Sequence, residues 1–352
     1  MKLFKLGIVP GYEAMTVFHA LARLNIEALV LVSPEQPLVS VGYFQDTQRV
    51  LDVEACRRMG LPVIRREVGG GTVLLDKNQI FYHVVMKKDN PNFPASVDQL
   101  YRLFSQPPIN TYRHFGVEAR FKPVNDLITP EGKKIAGEGG ANISDCMVFV
   151  GSIILDFDID TMVKILRVPD EKFRDKVQKT MAQGMSTLAL ELGQMPDRAE
   201  VEQSLVQEFE KILGPLEPSE LTREIKDEMR AVEEKLTAKK FLFEERHQRH
   251  QAVKVKSGTF VGQGNYKATG GLISTTVSYC EGIIENASIS GDFTINPKEA
   301  LVELEKTLTG VDADQMIIET ALQETILKNG LDIPGVTASD IAQAVSNALP
   351  KE

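Results

Sequence analysis

Apolar residues recur along this chain with two periods, and the switches between them mark its elements. Lys2 to Pro10 has a strand pattern, and Tyr12 to Leu24 then places Met15, Phe18, Leu21 and Leu24 at the spacing of an amphipathic helix. Ala28 to Val32 and Pro37 to Tyr43 are short β-rich runs split by the turn signal Ser33-Pro34. Asp52 to Met59 predicts a short helix closed by Gly60. Pro62-Val63-Ile64 and Thr72-Val73-Leu74-Leu75 are β-branched and apolar, so they predict strands interrupted by glycine, and Ile80 to Met86 predicts another. Asp89 to Pro94, with its prolines and asparagines, is loop, and Ser96 to Phe104 is helical. Arg113 to Gly116 leads into a strand at Ala119 to Pro123, and Met147 to Leu155 is a strongly apolar strand. The polar, glycine-rich stretch between these two, which contains Lys134, is expected to be a connection. Asp160 to Leu166 and Arg198 to Leu213 are helices with apolar faces.

A change of character follows. Glu217 to His250 is long, charged and amphipathic, the pattern of a solvated helical bridge between domains. Strand patterns then return at Leu272 to Tyr279, Gly282 to Ser290 and Phe293 to Ile295, before helices at Pro297 to Leu308, Ala313 to Asn329 and Ala338 to Leu349. The expected fold is α+β: a large domain of mixed β-sheet packed with helices over residues 1–250, with 217–250 as the bridge, and a small α+β domain over 255–352. A hinge is expected near Lys254 to Gly258.

Composition narrows the function. A chain of 352 residues, 43% hydrophobic and 25% charged, has the make-up of an ordinary globular protein of about two domains. The longest apolar runs fall short of the roughly 18 residues of a membrane span, and the N-terminus lacks the apolar core of a signal peptide, so no membrane anchor and a cytoplasmic location are expected. A net charge of −9 argues against a nucleic-acid partner, although Arg65-Arg66 and Lys133-Lys134 are locally basic. Cys56, Cys146 and Cys280 are scattered without CxxC spacing, which predicts neither disulfides nor a zinc site. His247 and His250 have no third ligand at suitable spacing and read as a surface pair.

Candidate chemistry centres on Arg65-Arg66-Glu67-Val68-Gly69-Gly70-Gly71. Glycines can take positive φ and admit an anion close to the main chain, and two arginines supply fixed positive charge with forked donors. Phosphate or carboxylate is the natural guest. The same residues also fit a flexible hairpin with a charged end, and neither dinucleotide nor P-loop spacing is present.

A second stretch, Asn125-Asp126-Leu127 followed by Gly132-Lys133-Lys134-Ile135-Ala136-Gly137, gives the first its meaning. Together the two motifs resemble the lipoate-protein ligase family, relatives of the biotin-protein ligases. Val41-Gly42-Tyr43-Phe44-Gln45 upstream is similar to the family's Gly-x-x-Gln segment. Gly258-Thr259-Phe260, Glu281-Gly282-Ile283-Ile284 and Ser290-Gly291-Asp292-Phe293 resemble the accessory domain of its two-domain members. The resemblance implies a biotin/lipoate ligase-like fold and ATP-dependent activation of lipoate or octanoate to an acyl-adenylate, followed by transfer to a lysine of a lipoyl-accepting carrier protein. ATP, Mg²⁺ and lipoate are the implied ligands, and a monomer the implied state.

Carried over residue by residue, Lys134 would touch the acyl carboxylate and the α-phosphate, and Arg66 would hold the phosphates. Gly69, Gly70, Gly71, Thr72, Val73 and Leu74 would lie along the nucleotide. Asn125, Asp126 and Gly137 would line the same site, with Asp126 nearest a Mg²⁺, and Arg65, Asp76, Gln45 and Lys133 would support it. Val41, Val68 and Ile153 are candidate walls for the acyl tail.

The chain departs from the family pattern at several places. Leu75 stands for a histidine and Asn78 for a glycine; Phe149-Val150-Gly151-Ser152 replaces His-His-Gly-Thr; Gly139 replaces an alanine; and Ala14 to His19 replaces the polar motif of the first helix. Two alternatives therefore stay open. One is an ATP-independent octanoyl transferase that carries the acyl group on Cys146, and the other a non-catalytic carrier-binding protein with a drifted site.

Overall fold

The computed structural model describes residues 1–94, 96–243 and 260–350. His247, His250, the expected hinge at Lys254 to Gly258 and the end of the expected bridge lie outside the described residues. The chain divides into two compact units. One comprises Met1–Val41, Gln48–Glu67 and Thr72–Ala238; the other comprises Gly42–Thr47, Val68–Gly71 and Lys239–Glu352.

The first unit contains β1 (Lys2–Val9), β2 (Ala28–Pro34), β3 (Leu38–Val41), β4 (Val63–Arg65), β5 (Val73–Leu75), β6 (Gln79–Lys87), β7 (Arg120–Lys122), β8 (Asp126–Ile128), β9 (Lys134–Ile143), β10 (Cys146–Ile154) and β11 (Glu217–Pro218). Eight of them form one mixed sheet in the order β11-β1-β2-β6-β10-β9-β8-β7. β1 runs parallel to β2, which requires a crossover, and the helix Glu13–Arg23 provides it. The remaining pairs from β2 to β7 are antiparallel. β3 lies between β4 and β5 in a separate three-stranded sheet.

Alternation along β6 shows how the large sheet is covered. Ile80, Tyr82, Val84 and Met86 enter the main core with Phe104, Tyr112, Phe149 and Phe209, which come from helices Val97–Phe104, Gln106–His114 and Arg198–Leu213 and from β10. His83, on the other face of β6, packs against Phe18 of helix Glu13–Arg23 with ring centroids 4.7 Å apart. Helix Arg223–Thr237 buries Ile225, Met229, Val232 and Leu236 and packs on that first helix.

The second unit contains β12 (Phe260–Ala268), β13 (Gly271–Cys280) and β14 (Ile283–Gly291), an antiparallel meander. Ile273, Val277, Ile284 and Ile289 form one core with Leu304, Leu308, Ile318, Leu322, Ile341 and Val345 of helices Leu301–Leu308, Gln315–Asn329 and Ala338–Ser346. The α+β class stands in both units. Among the described residues no helix is long and apolar enough to cross a membrane.

Several expectations are corrected. The Lys134 stretch is no connection but the ten-residue strand β9, laddered to β8 and β10, with Ile135 and Ala136 in the core. Phe293 to Ile295 joins no ladder, although Phe293 and Ile295 are buried. Gln106–His114 and Glu171–Gly184 are helices that the pattern did not announce. The first begins with prolines in its first turn, where a missing N–H costs nothing, and the second buries no side chain that could set a period.

Candidate functional site

Lys134 opens β9, and a bulge places it. Ile128 pairs with Lys134 while Leu127 pairs with Ala136, so Ile135 is the extra residue that breaks the alternation. The Lys134 side chain lies over Gly137, where a Cβ would come within 3.1 Å of its Nζ. It ends in an ion pair with Asp126, Nζ to Oδ1 2.6 Å. Its backbone carbonyl accepts from Ser186 N–H at 2.8 Å, tying the end of helix Glu171–Gly184 to the same point. Asn125 and Glu138 exchange two hydrogen bonds: Asn125 Nδ2 donates to the Glu138 carbonyl at 2.9 Å, and Glu138 N–H donates to the Asn125 carbonyl at 2.8 Å. Asn125 thus extends the β8–β9 ladder. Lys133 is exposed, and its carbonyl closes the turn by accepting from Thr129 N–H.

Glu138, one residue beyond Gly137, is buried and accepts from Tyr82 Oη at 2.8 Å and Ser105 Oγ at 2.5 Å. Gly151, its cross-strand partner on β10, has no Cβ because the Tyr82 ring occupies that space. Burial pushes the Glu138 carboxyl up from 4.5 to about 8, helped by Asp126 and opposed by the two hydroxyl donors and Lys134. A carboxyl raised in the folded state binds its proton there more tightly than in the unfolded chain. Its contribution therefore makes stability fall as pH rises from about 4.5 to about 8. Buried His83, pushed down to about 3, acts oppositely, losing stability as pH falls below its ordinary 6.5. Glu138→Gln is expected to remove the decline on the alkaline side, so that the stability difference between variant and native protein grows with pH across that window. Urea titrations at pH 5 and pH 8 measure it; an equal difference at both would place the proton elsewhere.

Arg65 ends β4 and Arg66 follows it, and both are buried. Arg66 is held to β3, its N–H bonded to the Val41 carbonyl and its Nη1 donating to the Ser40 carbonyl at 3.1 Å and to Ser40 Oγ at 3.3 Å. Burial and the neighbouring Arg65 charge push its guanidinium down to about 10. Tyr101, on helix Val97–Phe104, lies within electrostatic reach of both Arg66 and Glu138, so the arginine pair and the β9 group share one region. Glu67 anchors the arginines. It accepts from Arg23 at 2.9 Å and Lys235 at 2.8 Å, and its N–H donates to His19 Nε2 at 3.1 Å. Since His19 Nδ1 lies 2.7 Å from the Met15 carbonyl, it carries the proton and the ring is neutral. The flexible hairpin is excluded at this end by these bonds.

Packing in the second unit bears on Gly69 and Gly70. Of the three, Gly70 alone takes positive φ, at 88°. In the second unit its N–H faces the Phe293 carbonyl at 3.4 Å, and a Cβ on Gly69 would come within 2.8 Å of that same oxygen. Val68 is buried there and accepts from Tyr43 N–H, while the Gln45 side chain closes its own turn by accepting from Gly42 N–H at 3.1 Å. Val73 and Leu74 belong to β5 and pair with Ser40 and Val39 of β3, with Thr72 just ahead of them. Asp76 accepts from Asn78 N–H at 2.8 Å and forms the turn into β6. Val41 and Ile153 lie in different cores, the first with Leu74 and Cys56, the second with Tyr82 and Phe149.

Cys146 lies far from Lys134. It pairs with Ile143 at the other end of β9, about 30 Å away at roughly 3.3 Å per residue. A connection could have folded Cys146 back toward Lys134, whereas a strand carries it away. Burial pushes the thiols of both Cys146 and Cys56 upward, against the thiolate form. Among the described residues no three His, Cys, Asp or Glu side chains converge on a metal position, and Asp126 is a single carboxylate already paired with Lys134. That donor set does not fit a resident magnesium site.

Glu67, Tyr82, Tyr101, Ser105 and Glu138 escaped the sequence reading. One signal was available for Glu138: a carboxylate between glycines in a stretch whose flanking residues alternate as in a strand.

Comparison with known proteins bears on the whole chain. The family model of the lipoyl protein ligase A/B catalytic domain matches residues 12–210, and that of the bacterial lipoate protein ligase C-terminus matches residues 259–345. Octanoyltransferase LipM of Kyrpidia tusciae is 31% identical over 235 residues, covering 60% of this chain and 85% of that protein. Among solved structures, P. falciparum LipL1 in complex with lipoate shares the fold with a TM-score of 0.65 at 16% identity, covering 91% of this chain and 93% of that one. The bi-partite lipoate protein ligase of Thermoplasma acidophilum, studied with its E2 lipoyl domain, gives a TM-score of 0.61 at 24% identity, covering 69% of this chain and 95% of that one. With its catalytic segment and C-terminal module each matched, the chain belongs to the lipoyl protein ligase A/B family.

Proposed function

We propose that this protein is an ATP-dependent lipoate-protein ligase, with catalysis in the first unit and residues 255–352 as an accessory domain. A free carboxylate does not acylate an amine at neutral pH because its oxygen leaves poorly. In the proposed first step a carboxylate oxygen of lipoate or octanoate attacks the α-phosphorus of ATP. The bond to the β-phosphate breaks, and pyrophosphate departs with its electron pair. Lys134, a point charge on a flexible stem, follows negative charge from carboxylate to phosphate, and Arg66 neutralises the phosphates. Asp126 holds Lys134 in position until the substrate's anionic oxygens compete for it. In the second step a deprotonated lysine amine of the carrier attacks the acyl carbonyl, the amide forms, and AMP leaves. The E2 lipoyl domain studied with the Thermoplasma ligase represents the class of acceptor.

The place of the cysteines carries this reading. Transfer without ATP needs a thiolate within reach of the activated acyl group, and in the first unit Cys146 and Cys56 are buried with thiols pushed upward. The octanoyltransferase names among the relatives support the second reading, acyl transfer without ATP. Pyrophosphate release from ATP on addition of lipoate or octanoate separates the two. The native protein is expected to release it, and Cys146→Ser to retain at least half of the rate. Absence of release, with a trapped acyl thioester on Cys146 that the serine variant cannot form, would overturn the ligase reading.

A further inference from the structure

Helix Glu171–Gly184 is unlike the other long helices of the first unit, because none of its residues is buried. A helix without a buried face draws little stability from packing and is held by other means. Here Asp170 caps it through Phe173 N–H at 2.8 Å, and Arg174 Nη1 donates to the carbonyls of Val163 at 2.9 Å and Lys164 at 3.3 Å. Gln178 Nε2 donates to Asp160 at 2.7 Å. These bonds fix the Arg174–Gln178 side against helix Ile159–Ile165 and leave Lys172, Lys176 and Lys179 exposed with Asp175 among them, while Asp170 and Glu171, the latter paired with Arg174 at 3.3 Å, are exposed at the start of the helix. The far end of the helix runs through Met185, which bridges to Lys134, and Ser186, which bonds its carbonyl. Lys133, the neighbour of Lys134 in the chain, is exposed as well.

We propose that the outward face of helix Glu171–Gly184 is the docking surface for the acyl acceptor, a carrier domain with acidic residues around its target lysine. The inference rests on the function proposed above and names the surface that brings the acceptor to it. Charge supports this occupant. The chain as a whole carries −9, so an acidic domain is repelled by most of its surface. On the outward face of this helix Lys172, Lys176 and Lys179 outnumber Asp175, so the local sign is opposite to that of the chain. Electrostatic complementarity of this kind selects orientation and speeds encounter more than it tightens the final complex. Exposed Phe173 adds an apolar contact at the outer end of the same helix.

The test uses the full chain with Lys172→Glu, Lys176→Glu and Lys179→Glu combined, and a purified E2 lipoyl domain as acceptor. Transfer is expected to show KM for the lipoyl domain raised at least tenfold with kcat within twofold of native. Pyrophosphate release in the absence of acceptor should stay within twofold. The triple arginine variant, which keeps the charge, should keep the native KM. Added salt should raise the native KM and barely move that of the glutamate variant. An unchanged KM in the glutamate variant would overturn the docking surface, as would a parallel loss of pyrophosphate release, which would assign the helix to the adenylating site or to folding. Should the native protein release no pyrophosphate at all, acyl transfer from an octanoylated carrier tests the same helix, so the docking surface and the ATP reading fail separately.

Discussion

Lys134→Ala is expected to lower lipoate-dependent pyrophosphate release by about 10²–10³-fold, the usual effect of deleting one charge aimed at a developing anion. The side chain is placed for that work by three features: the bulge at Ile135, the missing Cβ of Gly137 and the ion pair with Asp126. Folding should scarcely notice its loss. Both partners of the pair are partly exposed, and such pairs contribute about 1 kcal/mol or less. A fall in rate with an unchanged thermal midpoint is therefore the expected signature. Lys134→Arg should recover little, since a planar fork cannot follow charge from carboxylate to phosphate as a compact ammonium can. Release within tenfold of native in the alanine variant would remove Lys134 from the adenylating step.

The second large effect is on stability. Gly151→Ala is expected to cost about 3 kcal/mol, because the new methyl occupies the space of the Tyr82 phenol, with Cε2 only 2.7 Å away. Tyr82 is fully buried between Phe149 and Phe209, so its ring has nowhere to retreat without leaving Glu138. Two costs thus combine, overpacking and a broken hydrogen bond to a buried carboxyl. In a double-mutant cycle with Tyr82→Ala the losses should be less than additive, with a coupling of about 1–3 kcal/mol. Urea unfolding measures both quantities. Additive losses would mean that the backbone, and not the ring, accommodates the methyl.

The sequence by itself determined much of this protein. Long apolar runs made β6 and β10 legible, because both faces of these central strands are covered, and the 3.6-residue period did the same for Glu13–Arg23 and Arg198–Leu213. The arginine-glycine and lysine stretches were legible as motifs through their resemblance to the lipoate-protein ligase family. Where burial fails to set a period, the sequence is silent, as in Glu171–Gly184.

Only the tertiary structure decided the rest. It turned the lysine stretch into a strand and so carried Cys146 to the opposite end of a hairpin, a distance that sequence proximity conceals. It gave Gly69 and Gly70 a neighbour in the Phe293 carbonyl, more than two hundred residues further along the chain. And it made Glu138 a buried, proton-holding carboxyl, because that property belongs to Tyr82, Ser105 and the absence of water around them, which come together only when β6, β9 and helix Val97–Phe104 pack.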